Sequence, residues 1–176
     1  MGLKQKINNY AYIDSQNLNL GVQSLGWKLD FKKFWVYLTE KYQVKIAYLF
    51  IGYLVENQDL YSSLQKSGYI LKFKPVLPAK DGQHKGNVDA DMVLQIAVDY
   101  YEHHFDKAVI VTSDGDFYSV VKFLYGKKKL EKVISPYYKT CSSLLKRTAK
   151  DKLVFINNIK NKLEYKKEKH RTRTKP

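Results

Sequence analysis

Asp14 closes the run Tyr10-Ala-Tyr-Ile13 and opens the segment Asp14-Ser-Gln-Asn17. Far along the chain, Val109-Ile-Val-Thr112 runs into Ser113-Asp114-Gly115-Asp116. Both acidic segments follow short, β-branched or aromatic runs, so they fall at the carboxyl ends of strands. That is where open parallel sheets bind ligands. Carboxylates are hard oxygen donors. Gathered in a chain of net charge +14, they suit a divalent cation held beside a phosphate backbone. Neither strand end carries GxGxxG or GxxxxGK[ST], so dinucleotide and P-loop nucleotide binding lose their main support. A haloacid-type phosphotransferase would need a DxDxT segment, which is missing. A response regulator would offer a pair of acids after its first strand, where only Asp14 stands.

A third acid comes from a helix. With Val88 to Tyr101 at steps of about 100° from Val88, Met92, Val93, Leu94, Ile96, Ala97 and Tyr100 share an apolar arc. Asp91, Gln95, Asp99 and Glu102 take the polar arc. Asp89 falls inside the apolar arc, in the first turn, where a buried carboxylate is costly unless it is paired or coordinates a metal. The periodicity therefore selects Asp89 over Asp91.

Each of these residues also has a plainer reading. Asp14 can simply end a strand in a turn, and Asn17 can be an Asx-turn residue. Ser113 or Asp114 can cap the helix that starts near Asp116, which is compatible with metal binding. Lys80 and Lys85, in a glycine-flanked loop, can contact phosphates or be solvated. Tyr118, beside Asp116, is the tyrosine best placed for base stacking. The four histidines read as surface residues.

The elements that position these groups alternate between strand and helix periodicity. Strands are expected at 10–13, 44–51, 69–73, 108–112, 132–134 and 153–156. Helices are expected at 31–42, with Asp30 as N-cap, and at 58–66, 88–101, 117–125, 142–149 and 158–165. Such alternation predicts an α/β fold, a three-layer α/β/α sandwich with a mostly parallel central sheet. The irregular stretch 74–87 holds Pro75, Pro78, Gly82 and Gly86, and a loop of that length is more often functional than idle.

With 176 residues the chain suits one domain, expected over 1–159, followed by a basic helix end and tail over 160–176. The latter carries eight Lys/Arg against Glu164 and Glu168, a net of +6, which leaves +8 on the body. A basic body with a basic tail predicts a polyanionic partner, nucleic acid above all. An apolar fraction of 44% excludes wholesale disorder. Cys141 stands alone, so no intramolecular disulfide can form, and with four scattered histidines there is no Cys/His zinc framework. No apolar run is long enough to span a membrane and the first residues lack a signal-peptide pattern, so a cytoplasmic location is expected.

The motifs Tyr-Ile-Asp14-Ser-Gln-Asn17-Leu, Lys85-Gly-Asn-Val-Asp89-Ala-Asp and Val-Ile-Val-Thr-Ser-Asp114-Gly-Asp116-Phe occur in this order. Together they resemble the NYN domain (the DUF88/LabA-like group) of the PIN-like nuclease superfamily, over about residues 8–159. The resemblance implies a PIN-like sandwich and a ribonuclease, endonucleolytic rather than exonucleolytic, dependent on Mg²⁺ or Mn²⁺. It implies that Asp14, Asp89, Asp114 and Asp116 are the catalytic, metal-holding acids, with Asn17 as their polar companion. Asn17, Ser113, Lys80, Lys85 and Tyr118 are then the residues expected to meet RNA. One departure is Thr112-Ser113, where relatives often have Ser-Gly. The rival expectation is a non-catalytic RNA-binding or regulatory protein on the same fold. RNA is the expected partner and a homodimer is left open.

Overall fold

The computed structural model describes residues 7–74, 77–78, 84–85 and 88–167, with 77, 78, 84, 85, 88 and 89 described by backbone alone. Its centre is β1 (Asn9–Asp14), buried along its whole length. Parallel neighbours extend the sheet on both sides. On one flank lie β2 (Val44–Gly52) and β3 (Ile70–Lys74), on the other β6 (Ala108–Val111), β7 (Leu130–Ser135) and β8 (Leu153–Phe155). The order is β3-β2-β1-β6-β7-β8, parallel throughout. Two short strands, β4 (Leu77–Pro78) and β5 (His84–Lys85), pair antiparallel inside the stretch expected as loop.

The period-2 alternation of β1 feeds two cores. Ala11 and Ile13 face one side, with Leu18 and Val22 of α1 (Ser15–Gln23), Phe34 and Leu38 of α2 (Phe31–Tyr42) and Leu64 of α3 (Gln58–Lys66). Tyr10 and Tyr12 face the other. There they meet Met92 and Ile96 of α4 (Val88–Tyr101), Val121 and Leu124 of α5 (Tyr118–Gly126) and Leu145 of α6 (Ser143–Ala149). This is the expected three-layer α/β/α sandwich.

Three local differences from the sequence expectation stand out. Helix α1 was not expected, because its Ser, Asn and Gly residues are weak helix formers. It forms because Asp14 caps it, and Gly21 lets it sit against Pro136, where a Cβ would lie 2.6 Å from that ring. The closing helix is shorter than 158–165: a 3₁₀ turn at Ile156–Ile159 leads into α7 (Lys160–Leu163). Residues 163–165 then return to the body, where Asp30 N–H donates to Leu163 O and Tyr165 N–H to Lys28 O.

The third difference is on α4. Asp99, placed on the polar arc, is only 1% exposed, whereas Leu94, placed on the apolar arc, is 63% exposed. The buried stripe is narrower and rotated, running through Met92, Ile96 and Asp99. Polar partners explain why an acid can lie there. The Tyr12 hydroxyl donates to Asp99 Oδ2 at 2.7 Å, Gln95 Nε2 donates to Oδ1 at 3.0 Å, and His104 Nδ1 lies 3.0 Å from Oδ1.

The chain runs outward from β1 through β2 to β3, then returns to lay β6 on the other side of β1. The order reverses at β1/β6, which makes the crevice beyond these two strands the switch point of the sheet. Asp14 and the segment after Val111 both end there, since Ile13 pairs with Val111.

Candidate active site at the switch point

Asp14 ends β1 in extended conformation (φ −75°, ψ 97°) and caps α1, its Oδ1 accepting from Asn17 N–H at 3.1 Å. The side chain is buried. A cap in this position satisfies one of the donors that a helix start leaves open. It also fixes the carboxylate at the mouth of the crevice. The plainer reading of Asp14 as a strand-ending residue is thus part of how it is positioned.

Across the crevice, Thr112 is fully buried. Its hydroxyl donates to Asp14 Oδ2 at 3.4 Å and accepts from Asp114 N–H at 3.1 Å. One side chain therefore ties the two acidic segments together. Asp114 Oδ1 in turn accepts from Asp116 N–H at 3.0 Å, capping a 3₁₀ turn over Gly115–Phe117. Phe117, fully buried in the α4–α6 layer, anchors that turn. Asp116 and Tyr118 remain exposed.

Asn17 supplies a second tie. Its Oδ1 accepts from both the N–H and the hydroxyl of Ser113, each at 2.8 Å. Ser113 O accepts from Ser142 N–H at 3.0 Å, which brings the start of α6 against the same loop. Gly115 permits this approach, because a Cβ there would lie 2.6 Å from Ser142 Oγ. Cys141, the preceding residue, is buried, and burial pushes its thiol up.

The structure thus brings Asp14, Asn17, Ser113, Asp114 and Asp116 to one end of the β1/β6 crevice. Asp89 lies in the first turn of α4, but its side chain is outside the described residues, as is that of Lys85; Lys80 lies outside them altogether. Asp91 is exposed. Among the described residues, no three His, Cys, Asp or Glu side chains gather closely enough to hold a metal ion.

Two further residues were not singled out in the sequence. Thr112 looked like the last residue of a strand, and only the pairing of β1 with β6 shows what its hydroxyl joins. Lys74 ends β3 almost fully buried, beside Phe50 of β2, whose partner in the next strand is Asp14. The alternation Lys72-Phe-Lys74 just before Pro75 was its signal: two lysines on one face of a strand at its carboxyl end.

Comparison with known proteins agrees with this fold. A solved protein of unknown function, VPA0982 from Vibrio parahaemolyticus RIMD 2210633, has the same fold, with a TM-score of 0.74 at 21% identity. The match covers 94% of this chain and 100% of that one. No curated protein matches. The NYN domain family matches residues 10–157, from the second residue of β1 to just beyond β8. The chain therefore belongs to the NYN domain family, within the PIN-like nuclease superfamily.

Proposed function

We propose that this chain is a divalent-metal-dependent ribonuclease whose catalytic acids are Asp14, Asp89, Asp114 and Asp116. The observation that carries the reading is the Thr112 hydroxyl, which binds Asp14 and the Asp114 backbone together at the switch point of the sheet. Family membership supports nuclease chemistry and the use of a divalent metal.

The donor set fits Mg²⁺ or Mn²⁺, since both prefer carboxylate oxygens. Asp14, Asp89, Asp114 and Asp116 would hold the ion. When bound, such an ion lowers the pKa of a coordinated water and offsets charge on the phosphodiester. The chain's own part is positioning. Asn17 N–H and Thr112 fix the Asp14 carboxylate, and the cap on Asp116 N–H orients that of Asp114. Asn17 and Ser113 keep the two loops in register beneath the RNA. Lys80 and Lys85 would meet backbone phosphates, and Tyr118 a base.

The second reading, an RNA-binding protein without catalysis, draws on one observation: the described carboxylates do not by themselves form a metal-sized group. A melting titration with Mg²⁺ and Mn²⁺, run beside cleavage of single-stranded RNA, separates the two. Wild type should gain melting temperature with ion concentration, because the ion binds only the folded form. Asp114→Asn keeps an oxygen for the cap on Asp116 N–H, so the metal-free variant should melt no lower than wild type. It should lose both the ion-dependent rise and cleavage. A wild type that shows neither shift nor cleavage leaves the binding reading standing.

A further inference from the structure

We propose that the outer face of α5 and α6 is the RNA-binding surface of the body, carrying single-stranded RNA away from the acidic crevice. The proposal rests on the ribonuclease reading above and names the surface that holds its substrate.

The distribution of charge comes first. Residues 117–152, which span α5, β7 and α6, hold ten Lys/Arg against Glu131 and Asp151, a net of +8. Residues 1–116 hold thirteen Lys against thirteen Asp/Glu, and residues 153–159 hold no charge. The whole net charge of the body therefore lies in this one stretch. Lysines kept only for solubility would be interspersed with acids over the surface. Cations gathered on one face draw a polyanion to that face.

The face adjoins the candidate site. Helices α5 and α6 lie side by side on the α4 side of the sheet, where Val121, Leu124 and Leu145 share a core. The turn capped by Asp114 runs straight into Tyr118 at the start of α5. Ser142 N–H, at the start of α6, donates to Ser113 O at 3.0 Å. Each helix joins two neighbouring parallel strands, so each leads back along the sheet, away from the acids.

On α5, Tyr118 is 40% exposed, Lys122 stands one turn beyond it, and Lys127 about 14 Å beyond it along the axis. These three line an open depression of about 470 Å³ with Ser119, Phe123 and Gly126. On α6, Arg147 and Lys150 are exposed, and the Lys150 ammonium lies 5.3 Å from the Tyr125 ring centroid of α5. Packed helices lie about 8–10 Å apart, so one strand between the two crests meets cations from both.

The two acids of the stretch are engaged elsewhere. Glu131 pairs with Lys107 at 3.2 Å, and Asp151 with Lys152 and the Tyr125 hydroxyl. Among the described residues, Lys122, Lys127, Arg147 and Lys150 form no ion pair. A row of cations that starts at an open aromatic ring is the chemistry of single-strand binding. An anionic lipid surface would instead be repelled by exposed Asp116, two residues from Tyr118.

The test uses the full chain carrying Asp114→Asn, so that bound RNA is not cut, and a labelled single-stranded RNA in anisotropy titrations at several salt concentrations. One variant adds Lys122→Gln, Lys127→Gln, Arg147→Gln and Lys150→Gln. A control of equal net charge adds Lys32→Gln, Lys41→Gln, Lys45→Gln and Lys66→Gln, on α2, β2 and α3. Both should melt as the parent does, since all eight side chains are exposed. The first should bind at least about tenfold more weakly at about 0.1 M salt, and its slope of log K against log[salt] should flatten by about 2–3. The control should flatten it by less than about 0.7, the share of a single contact. Tyr118→Ala should weaken binding at least about fivefold with the slope unchanged, and Tyr118→Phe should keep parental affinity.

If the two fourfold variants weaken alike, or the first binds RNA as the parent does, the surface is wrong while the ribonuclease reading is untouched. A first variant that keeps RNA but loses binding to phosphatidylserine vesicles would make this face a membrane surface and overturn the proposal. If the first variant alone loses RNA yet wild type cleaves nothing with Mg²⁺ or Mn²⁺, the surface stands and the catalytic reading falls.

Discussion

Asn17 Oδ1 receives two hydrogen bonds from Ser113, one from its N–H and one from its hydroxyl, each 2.8 Å long. The first residues of α1 are thereby clamped to the loop after β6, across 96 residues of sequence. An Asn at this position is thus more than an Asx-turn residue. It sets the separation of Asp14 from Asp114.

Asn17→Ala should leave the Ser113 N–H without its acceptor and cost about 1–3 kcal/mol. Asn17→Asp keeps an acceptor and should recover part of that loss. Urea unfolding of the three proteins measures it. If Asn17→Ala unfolds at the wild-type midpoint, the clamp carries no energy. In a cleavage assay the Ala variant should lose kcat more than it gains KM, because it displaces acids and leaves the RNA surface alone.

Gly115→Ala tests how the start of α6 supports the same loop. The new Cβ would lie 2.6 Å from Ser142 Oγ, the atom that accepts from Leu144 N–H to cap α6. The side chain must turn away, and the cap is lost at about 1 kcal/mol. Ser142→Ala alone removes the same cap. The double variant should therefore cost less than the sum of the singles, in a cycle read by thermal or urea unfolding. Strict additivity would mean that the two residues do not share this contact.

Much of this architecture was legible in the sequence. Helix α2 with its Asp30 cap, α3 and α4 fall where apolar periodicity places them, because long amphipathic segments carry their own signal. Most strands of the sheet were legible as short β-branched or aromatic runs. Helix α1 was not, since its stability comes from a cap and from packing against Pro136, neither of which periodicity registers. Asp99 misled for a related reason. A polar residue on a helix reads as solvent-facing, yet Tyr12, from a strand far away in sequence, supplies the partner that lets it be buried. The candidate site shows the same division. Asp14, Asp114 and Asp116 were visible as acids after strands, whereas Thr112 matters only because β6 lies beside β1.

That buried Tyr12–Asp99 pair leads to a prediction about alkaline pH. Burial, and then the Asp99 carboxylate, push the Tyr12 hydroxyl far above the usual tyrosine range. Burial likewise raises Tyr42, Tyr48 and Tyr69. Unfolded tyrosines ionise near pH 10. Above that pH the unfolded chain binds fewer protons than the folded one, so unfolding is favoured as pH rises. The stability from these groups is complete below about pH 10 and is lost above it, by about 1.4 kcal/mol per pH unit for each group still protonated in the fold. Phenolate absorbance and circular dichroism should show these tyrosines ionising together with unfolding. Tyr12→Phe should lessen the alkaline slope while lowering stability at neutral pH, since Asp99 Oδ2 loses its donor. Ionisation of every tyrosine in a still-folded protein would refute this account.

The basic end of the chain divides into a part that stabilises and a part proposed to bind RNA. Leu163 is buried in the α1–α2 core, and its backbone holds Asp30 N–H, the amide of the residue that caps α2. Tyr165 N–H donates to Lys28 O, and Glu164 bridges to Leu29. Removing residues 160–176 should therefore cost about 2 kcal/mol from Leu163 alone. Removing only 166–176 keeps all of these contacts and takes away six Lys/Arg and one Glu. That shorter truncation should melt as the full chain does. Its affinity for single-stranded RNA should fall, and with it the dependence on salt. Each lost phosphate contact flattens the slope of log K against log[salt] by about 0.7, so loss of all six gives a change of about 4 at most. Turnover at saturating RNA should stay the same, because the four acids proposed for catalysis all precede Phe117. Titrations at several salt concentrations decide the matter: an unchanged slope in the shorter truncation means that the body alone carries the RNA.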